Sequence, residues 1–310
     1  MISAEIEKFK VDGNDFEPIR SKGSIKGGCC VVVFVKSIKN QKEYVLKRTL
    51  RKLKKGDFQE KLYYNEIMTL SKFHHPAIVP FIGFCIDPKG YGNTYLEYME
   101  NGSLDSFINS DLAKGPSFDD TRKLIISYGI ARAMKYLHSH KIIHRDLSIR
   151  NILLDAELHP YVSGFSTSTG IDTIKSSQTV QQTTATIMPP EFITDYDKYN
   201  RTTPIDVYSY AMLLYYLWIG QPPYNENETI SLIINKVLAN VRPQFPPTPS
   251  LSEHWKNLIR SCWDEKPSKR PTFSDICKML ESEDFITSNI DKALFNSYKE
   301  MIDSASGASQ

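Results

Sequence analysis

The chain has 310 residues, with 38 basic and 36 acidic side chains and a formal net charge of +2. Hydrophobic residues make up 41% and charged residues 24%, ordinary values that exclude collagen-like, disordered and coiled-coil classes. The near-balance of charge gives no electrostatic reason to expect nucleic acid or an anionic membrane as the main partner, and no stretch approaches the roughly 18 apolar residues of a spanning helix.

The start, MISAEIEKFK, carries charges where a signal peptide has its apolar region. Five cysteines (Cys29, Cys30, Cys85, Cys262, Cys277) lack metal-binding spacing and read as reduced thiols. A soluble, cytoplasmic globular protein is the expectation. Residues 1–15 read as an N-terminal extension. Cys29–Lys36 and Glu43–Arg48 are rich in β-branched residues and flank a turn, the pattern of a hairpin. In Phe58–Phe73 the apolar residues Leu62, Ile67, Leu70 and Phe73 fall near helical spacing. Two more strands are expected at Ile78–Ile86 and Asn93–Tyr98, and the turn-forming Glu100–Ser103 marks a boundary. Beyond it the pattern is helical. Thr121–His138 has one broad apolar face, and Thr203–Ile219 is apolar nearly all round, as in a helix buried within a large lobe. The Pro-rich run Pro243–Pro249 reads as a loop. After about residue 282 the pattern fades; a helix over about Asp284–Met301 is left open, and SASGASQ reads as a disordered end.

The decisive segment is His144-Arg145-Asp146-Leu147-Ser148-Ile149-Arg150-Asn151, which has the H-R-D-L-x-x-x-N spacing of a phosphotransfer catalytic loop. YLHSHKI precedes it, NILL follows, Pro189-Pro190-Glu191 stands for A-P-E, and DVYSYAMLL and CWDEKPSKRPTF come later in order. In these motifs, over about Phe16–Leu280, the chain resembles the protein kinase family. PFIGFC, LEYMENGSL and CWDEKPSKRPTF are most similar to its tyrosine-kinase-like branch.

The resemblance implies an α+β, bilobal kinase fold over residues 16–281: a five-stranded antiparallel sheet with a helix over about 16–99, then a larger helical lobe over about 100–281, with 282–310 as an extension. It implies that Lys47 contacts nucleotide phosphates and pairs with Glu66, that Asp146 is the catalytic base, and that Asn151 is a metal ligand. Gly27, Val32, Val45, Glu97 and Leu153 fall at nucleotide-binding positions. Asp206 should anchor the catalytic loop, and Glu191 should pair with Arg270. ATP and Mg²⁺ are the implied cofactors.

Four departures bear on efficient transfer. Where the family has D-F-G, with its acid on magnesium, this chain has Gly164-Phe165-Ser166, and Gly164 offers no ligand oxygen. The next acid, Asp172, is too far along the chain to take the same position. In the register Ile25–Val32, the glycine-rich loop keeps only Gly27; a second register, using Gly23 with an insertion, stays open. Val45 replaces the usual alanine at the adenine. Ser148 replaces a lysine usual in Ser/Thr kinases, although tyrosine kinases also lack it.

These features point to a pseudokinase that binds and regulates a partner protein in signalling, with residual ATP binding. An active transferase acting on protein Ser/Thr is the alternative. The hydroxyl-rich segment 165–186, which includes Ser176, Ser177, Thr179, Thr183 and Thr184, reads as a polar loop or as a target of an upstream kinase ordered against Arg145.

Overall fold

The computed structural model describes residues 4–27, 30–115, 117–170, 187–199, 201–225, 227–247 and 251–307. The chain divides into two compact units, one of residues 1–74, 78–100 and 165–167, the other of residues 75–77, 101–164 and 168–310.

The first unit is built on an antiparallel sheet. Helix α1 (Ala4–Glu7) precedes β1 (Phe16–Pro18), β2 (Ser24–Lys26), β3 (Cys30–Ser37), β4 (Glu43–Thr49), helix α2 (Phe58–Lys72), β5 (Phe81–Ile86) and β6 (Gly92–Glu97). The strand order is β1-β3-β4-β6-β5, with β2 also on β3, making six strands where five were expected. The difference has a local cause. Phe16 pairs with Ser37 and Ser24 with Val33, so β1 and β2 lie along one edge of β3. A 3-10 turn at Arg20–Lys22, closed by Gly23 at φ 65°, breaks that edge in two. Gly23 takes a backbone conformation that few other residues adopt.

The expected strand from Ile78 begins only at Phe81, after Pro80, which has no N–H to give to a sheet. Helix α2 starts where Asp57 accepts a hydrogen bond from the Glu60 N–H at 2.7 Å, a side-chain N-cap. Its inner face buries Tyr63, Ile67 and Leu70. Ile6 of α1 packs with Tyr63, Ile67 and Phe84, tying residues before the sheet into this core.

The second unit is mostly helical. In order it contains α3 (Leu104–Ile108), α4 (Asp120–Ser139), β7 (Ile142–Ile143), β8 (Ile152–Leu154), β9 (Pro160–Val162), β10 (Thr169–Gly170), α5 (Pro190–Thr194), α6 (Tyr196–Tyr199), α7 (Pro204–Ile219), α8 (Ile230–Leu238), α9 (Glu253–Cys262), α10 (Phe273–Leu280) and α11 (Lys292–Gly307). Helix α7 is buried along its length from Ile205 to Ile219, as its all-round apolar sequence requires. Pro204 at its first turn and Gly220 in the left-handed region just past its end fit the usual start and stop chemistry.

Ser304–Gly307, the first part of SASGASQ, continues α11, while residues 308–310 lie outside the described residues. Phe295, Tyr298 and Ile302 bury one face of this helix. Tyr128 meets Phe295 edge-on at 5.3 Å, and Arg132 pairs with Asp303 at 2.5 Å. Cys85, Cys262 and Cys277 are buried free thiols. Among the described residues, no helix is long and apolar enough to cross a membrane.

Candidate active site

In the first unit, the strand register fixes which side chains share a face. Val32 lies opposite Lys47, Phe34 opposite Val45, Lys47 opposite Thr94 and Val45 opposite Leu96. Cross-strand partners point the same way and alternate residues return to the same side, so these residues line one face of the sheet. From α2, Glu66 reaches this face, and its Oε1 accepts from Lys47 Nζ at 2.5 Å. Both side chains are largely buried, at 21% and 9% exposure. This is the expected Lys47–Glu66 pair.

Gly27 sits in the β2–β3 turn, where its N–H donates to the Cys30 carbonyl at 2.9 Å. Lys26 pairs with Val31, and residues 28 and 29, on which the two registers of this loop differ, lie outside the described residues. Glu97 ends β6, and its N–H donates to the Pro80 carbonyl at 3.1 Å.

Two participants were missed in the sequence. Phe34 shares the Val32 face and meets Tyr98 edge-on at 5.6 Å; alternation from Val32 could have found it. Asn65, next to Glu66, donates from Nδ2 to the carbonyls of Phe165 and Ser166 at 3.3 and 3.0 Å. Phe165 is fully buried.

In the second unit, the catalytic loop hangs from Asp206, which is fully buried near the start of α7. Its Oδ2 accepts from the His144 N–H and its Oδ1 from the Arg145 N–H, each at 2.8 Å, and His138 Nε2 lies 2.9 Å from Oδ2. Burial opposes the charge on Asp206, but the hydrogen bonds from His138 and from the His144 N–H outweigh it and hold the carboxyl below its ordinary value. Arg145 adopts φ 69°, a strained conformation for a non-glycine residue, and burial lowers its guanidinium pKa. The Asp146 N–H donates to His144 Nδ1 at 3.2 Å, so Nε2 carries the ring proton and donates to the Ser163 carbonyl at 2.8 Å.

Asp146 and Asn151 are brought together. Asn151 Nδ2 donates to the Asp146 carbonyl at 2.7 Å and to its Oδ2 at 2.9 Å. The Asn151 carbonyl accepts from the Ser163 N–H at 2.8 Å and from Ser163 Oγ at 3.0 Å. Leu153 lies on β8, opposite Tyr161.

Gly164 follows with φ 84°. A Cβ built there would stand 2.4 Å from Asn151 Cγ and 2.5 Å from its Oδ1. The Asn151 amide thus occupies the space that any side chain at 164 would enter. Nothing in the residue types alone signals this contact.

The remaining anchors are in place. Arg270 grips Glu191 with two parallel bonds, at 2.5 and 2.9 Å, in a buried pair. Ser166, Thr167 and Ser168 are half-buried or buried. Asp172 and the expected phosphorylation targets Ser176, Ser177, Thr179, Thr183 and Thr184 lie outside the described residues.

The family model for the protein kinase domain matches residues 23–280. The chain is 36% identical over 220 residues to RGS domain-containing serine/threonine-protein kinase A of Dictyostelium discoideum, covering 70% of this chain and 18% of that protein. It is 34% identical over 227 residues to serine/threonine/tyrosine-protein kinase HT1 of Arabidopsis thaliana, covering 73% and 55%. With serine/threonine-protein kinase 12 of the same plant it shares 30% identity over 284 residues, covering 90% and 59%. In each case the chain spans less than two thirds of the relative's length. With the sheet-based and helical units, the Lys47–Glu66 pair and the Asp206-anchored catalytic loop, this match establishes that the chain belongs to the protein kinase family.

Proposed function

We propose that this chain is a catalytically impaired kinase that binds a partner protein and regulates or scaffolds it in cytoplasmic signalling, with residual ATP binding through its kinase-like region, residues 16–281. The observation that carries this reading is Gly164, without a ligand oxygen and with the Asn151 amide packed where its side chain would be.

The residues fit a nucleotide better than a metal. Lys47, oriented by Glu66, supplies the cation for phosphate oxygens. Gly27, Val32, Val45, Glu97 and Leu153 match, by motif position, the residues through which kinases contact ATP. Magnesium needs several hard oxygen ligands in octahedral order. Here the acid at 164 is absent, and the Asn151 amide is already bonded to Asp146. The set does not fit a tightly held Mg²⁺. Removing one preorganised electrostatic stabiliser typically costs about 10²–10³ in rate.

The second reading is a protein Ser/Thr kinase that works without the usual metal acid. What favours it is the intact geometry of Lys47–Glu66 and of Asp146 on its anchored loop, together with the Ser/Thr kinase names of the relatives. Either reading is compatible with an upstream kinase acting on segment 165–186, with Arg145 as the cation that would receive the phosphate, and equally with a plain polar loop there.

Thermal-shift titration with ATP, with and without Mg²⁺ or Mn²⁺, separates the readings. The proposal expects a shift that does not depend on metal and is lost in Lys47→Ala. A shift that appears only with the metal supports the second reading, and no shift under any condition removes ATP from the account.

A further inference from the structure

A cavity of about 390 Å³ opens in the helical unit, between the start of α4, the end of α7, the start of α9 and residues 285–290. Its size falls in the range of small-molecule sites. The inner wall is a run of packed aromatic rings. Trp218 lies 4.1 Å from Trp255, and Trp255 meets Phe285 edge-on at 4.8 Å. These three are nearly buried, whereas residues 287–289 at the rim are exposed. Residues 285–290 lie beyond the family match, which ends at 280, so part of the wall belongs to this chain's own extension.

Lys123 is the cation among the described residues that line the cavity. Its Nζ stands 5.7 Å from the Trp218 ring centre and 5.6 Å from that of Phe118. No carboxylate lies within ion-pair distance of it among the described residues, although Asp120 lines the same cavity. Burial lowers the Lys123 pKa, while Asp120 and Asp119 work the other way. A half-buried ammonium without a contacting anion gains most from a ligand that supplies one. The N-termini of α4 and α9 also border the cavity at Lys123 and Ser252, where Asp119 and Ser252 already cap the two helices. Asp120 disfavours a second negative charge, which limits the ligand to a monoanion.

We infer that this cavity binds a small planar aromatic monocarboxylate, with its ring against Trp218 and Trp255 and its carboxylate on Lys123. The site is separate from the residues assigned to nucleotide and phosphotransfer, and the inference stands or falls independently of them.

Isothermal titration calorimetry of the full chain tests it, with indole-3-acetate as probe beside neutral indole and cationic tryptamine. Saturable binding of indole-3-acetate is expected, at least about tenfold tighter than either control. Lys123→Met should lose about tenfold in affinity and Lys123→Arg should keep it. Ser288→Phe, at the exposed rim, should block binding without lowering the melting temperature. The inference is overturned if indole or tryptamine binds as tightly as indole-3-acetate, if Lys123→Met binds like wild type, or if no binding appears at about 10 mM, a concentration that would detect even millimolar affinity.

Discussion

Replacing Gly164 by aspartate writes the missing acid back into the chain, and the structure says what that costs. The backbone at 164 has φ 84°, and a residue with a Cβ pays about 1 kcal/mol there. The new Cβ would stand 2.4 Å from Asn151 Cγ. Asn151 is a short, rotatable side chain and can move aside, but only by giving up its bonds to Asp146 at 2.7 and 2.9 Å. Each is worth about 1 kcal/mol net. Gly164→Asp should therefore destabilise the protein without nucleotide by about 2–3 kcal/mol, a fall in melting temperature of roughly 5–10 °C for a unit of this size. With Asn151→Ala as the background, the added cost of Gly164→Asp should drop to about 1 kcal/mol, because neighbouring changes are not additive. Differential scanning calorimetry on the four proteins reads both numbers. A Gly164→Asp protein that melts at or above wild type would refute the claim that Asn151 fills the acid's place.

Other expectations rest on separate contacts. Burial holds His75 at a pKa of about 4, with the Arg132 charge adding to the effect, and its Nδ1 accepts from the Ala77 N–H at 3.1 Å. Because the folded value lies below the unfolded one near 6.5, the unfolded chain takes up the proton first. Stability from this group is complete above about pH 6.5 and falls by about 3 kcal/mol as the pH drops to about 4; urea denaturation across that window should show the slope, and His75→Asn, which keeps an acceptor, should flatten it. Removing one side of the buried Glu191–Arg270 pair, as in Glu191→Ala, strands a buried charge, and chemical denaturation should show a loss of about 3–5 kcal/mol. A Cβ at Gly129 would fall 2.1 Å from the Tyr298 hydroxyl and 2.6 Å from Pro160 Cγ, so Gly129→Ala should expose α11 to early proteolysis. Tyr298→Phe removes a buried hydroxyl that has no partner; it should raise stability by about 1 kcal/mol in a thermal melt and soften the Gly129→Ala defect.

The spine of the fold was readable because its signals are local. Helix α2 was expected at Phe58–Phe73 and runs Phe58–Lys72; the helix expected at Thr203–Ile219 runs Pro204–Ile219. Both have strong apolar patterning and clear start or stop residues. The broken first strand was missed because the break depends on the φ of Gly23, which no spacing reports. The final helix carries its core residues Phe295, Tyr298 and Ile302 at helical spacing, but with a polar context that hides them. In the site, the sequence motifs singled out Lys47, Glu66, Asp146 and Asp206, and the structure brings Glu66 to Lys47 and hangs the loop backbone before Asp146 from Asp206. The relation between Gly164 and Asn151 lay beyond the sequence, since it arises from the rotamer of one residue and the backbone angle of another. Asn65 was missed for a similar reason, because its bonds go to backbone carbonyls 100 and 101 residues away.

The claim that the chain transfers phosphate poorly is tested most directly by phosphotransfer from radiolabelled ATP to a generic Ser/Thr protein substrate in the presence of Mg²⁺. Wild type should be compared with Asp146→Asn. The account expects the two proteins to be indistinguishable, each far below the roughly 1–100 s⁻¹ of ordinary kinases. Turnover in that range by wild type, abolished in Asp146→Asn, would contradict it.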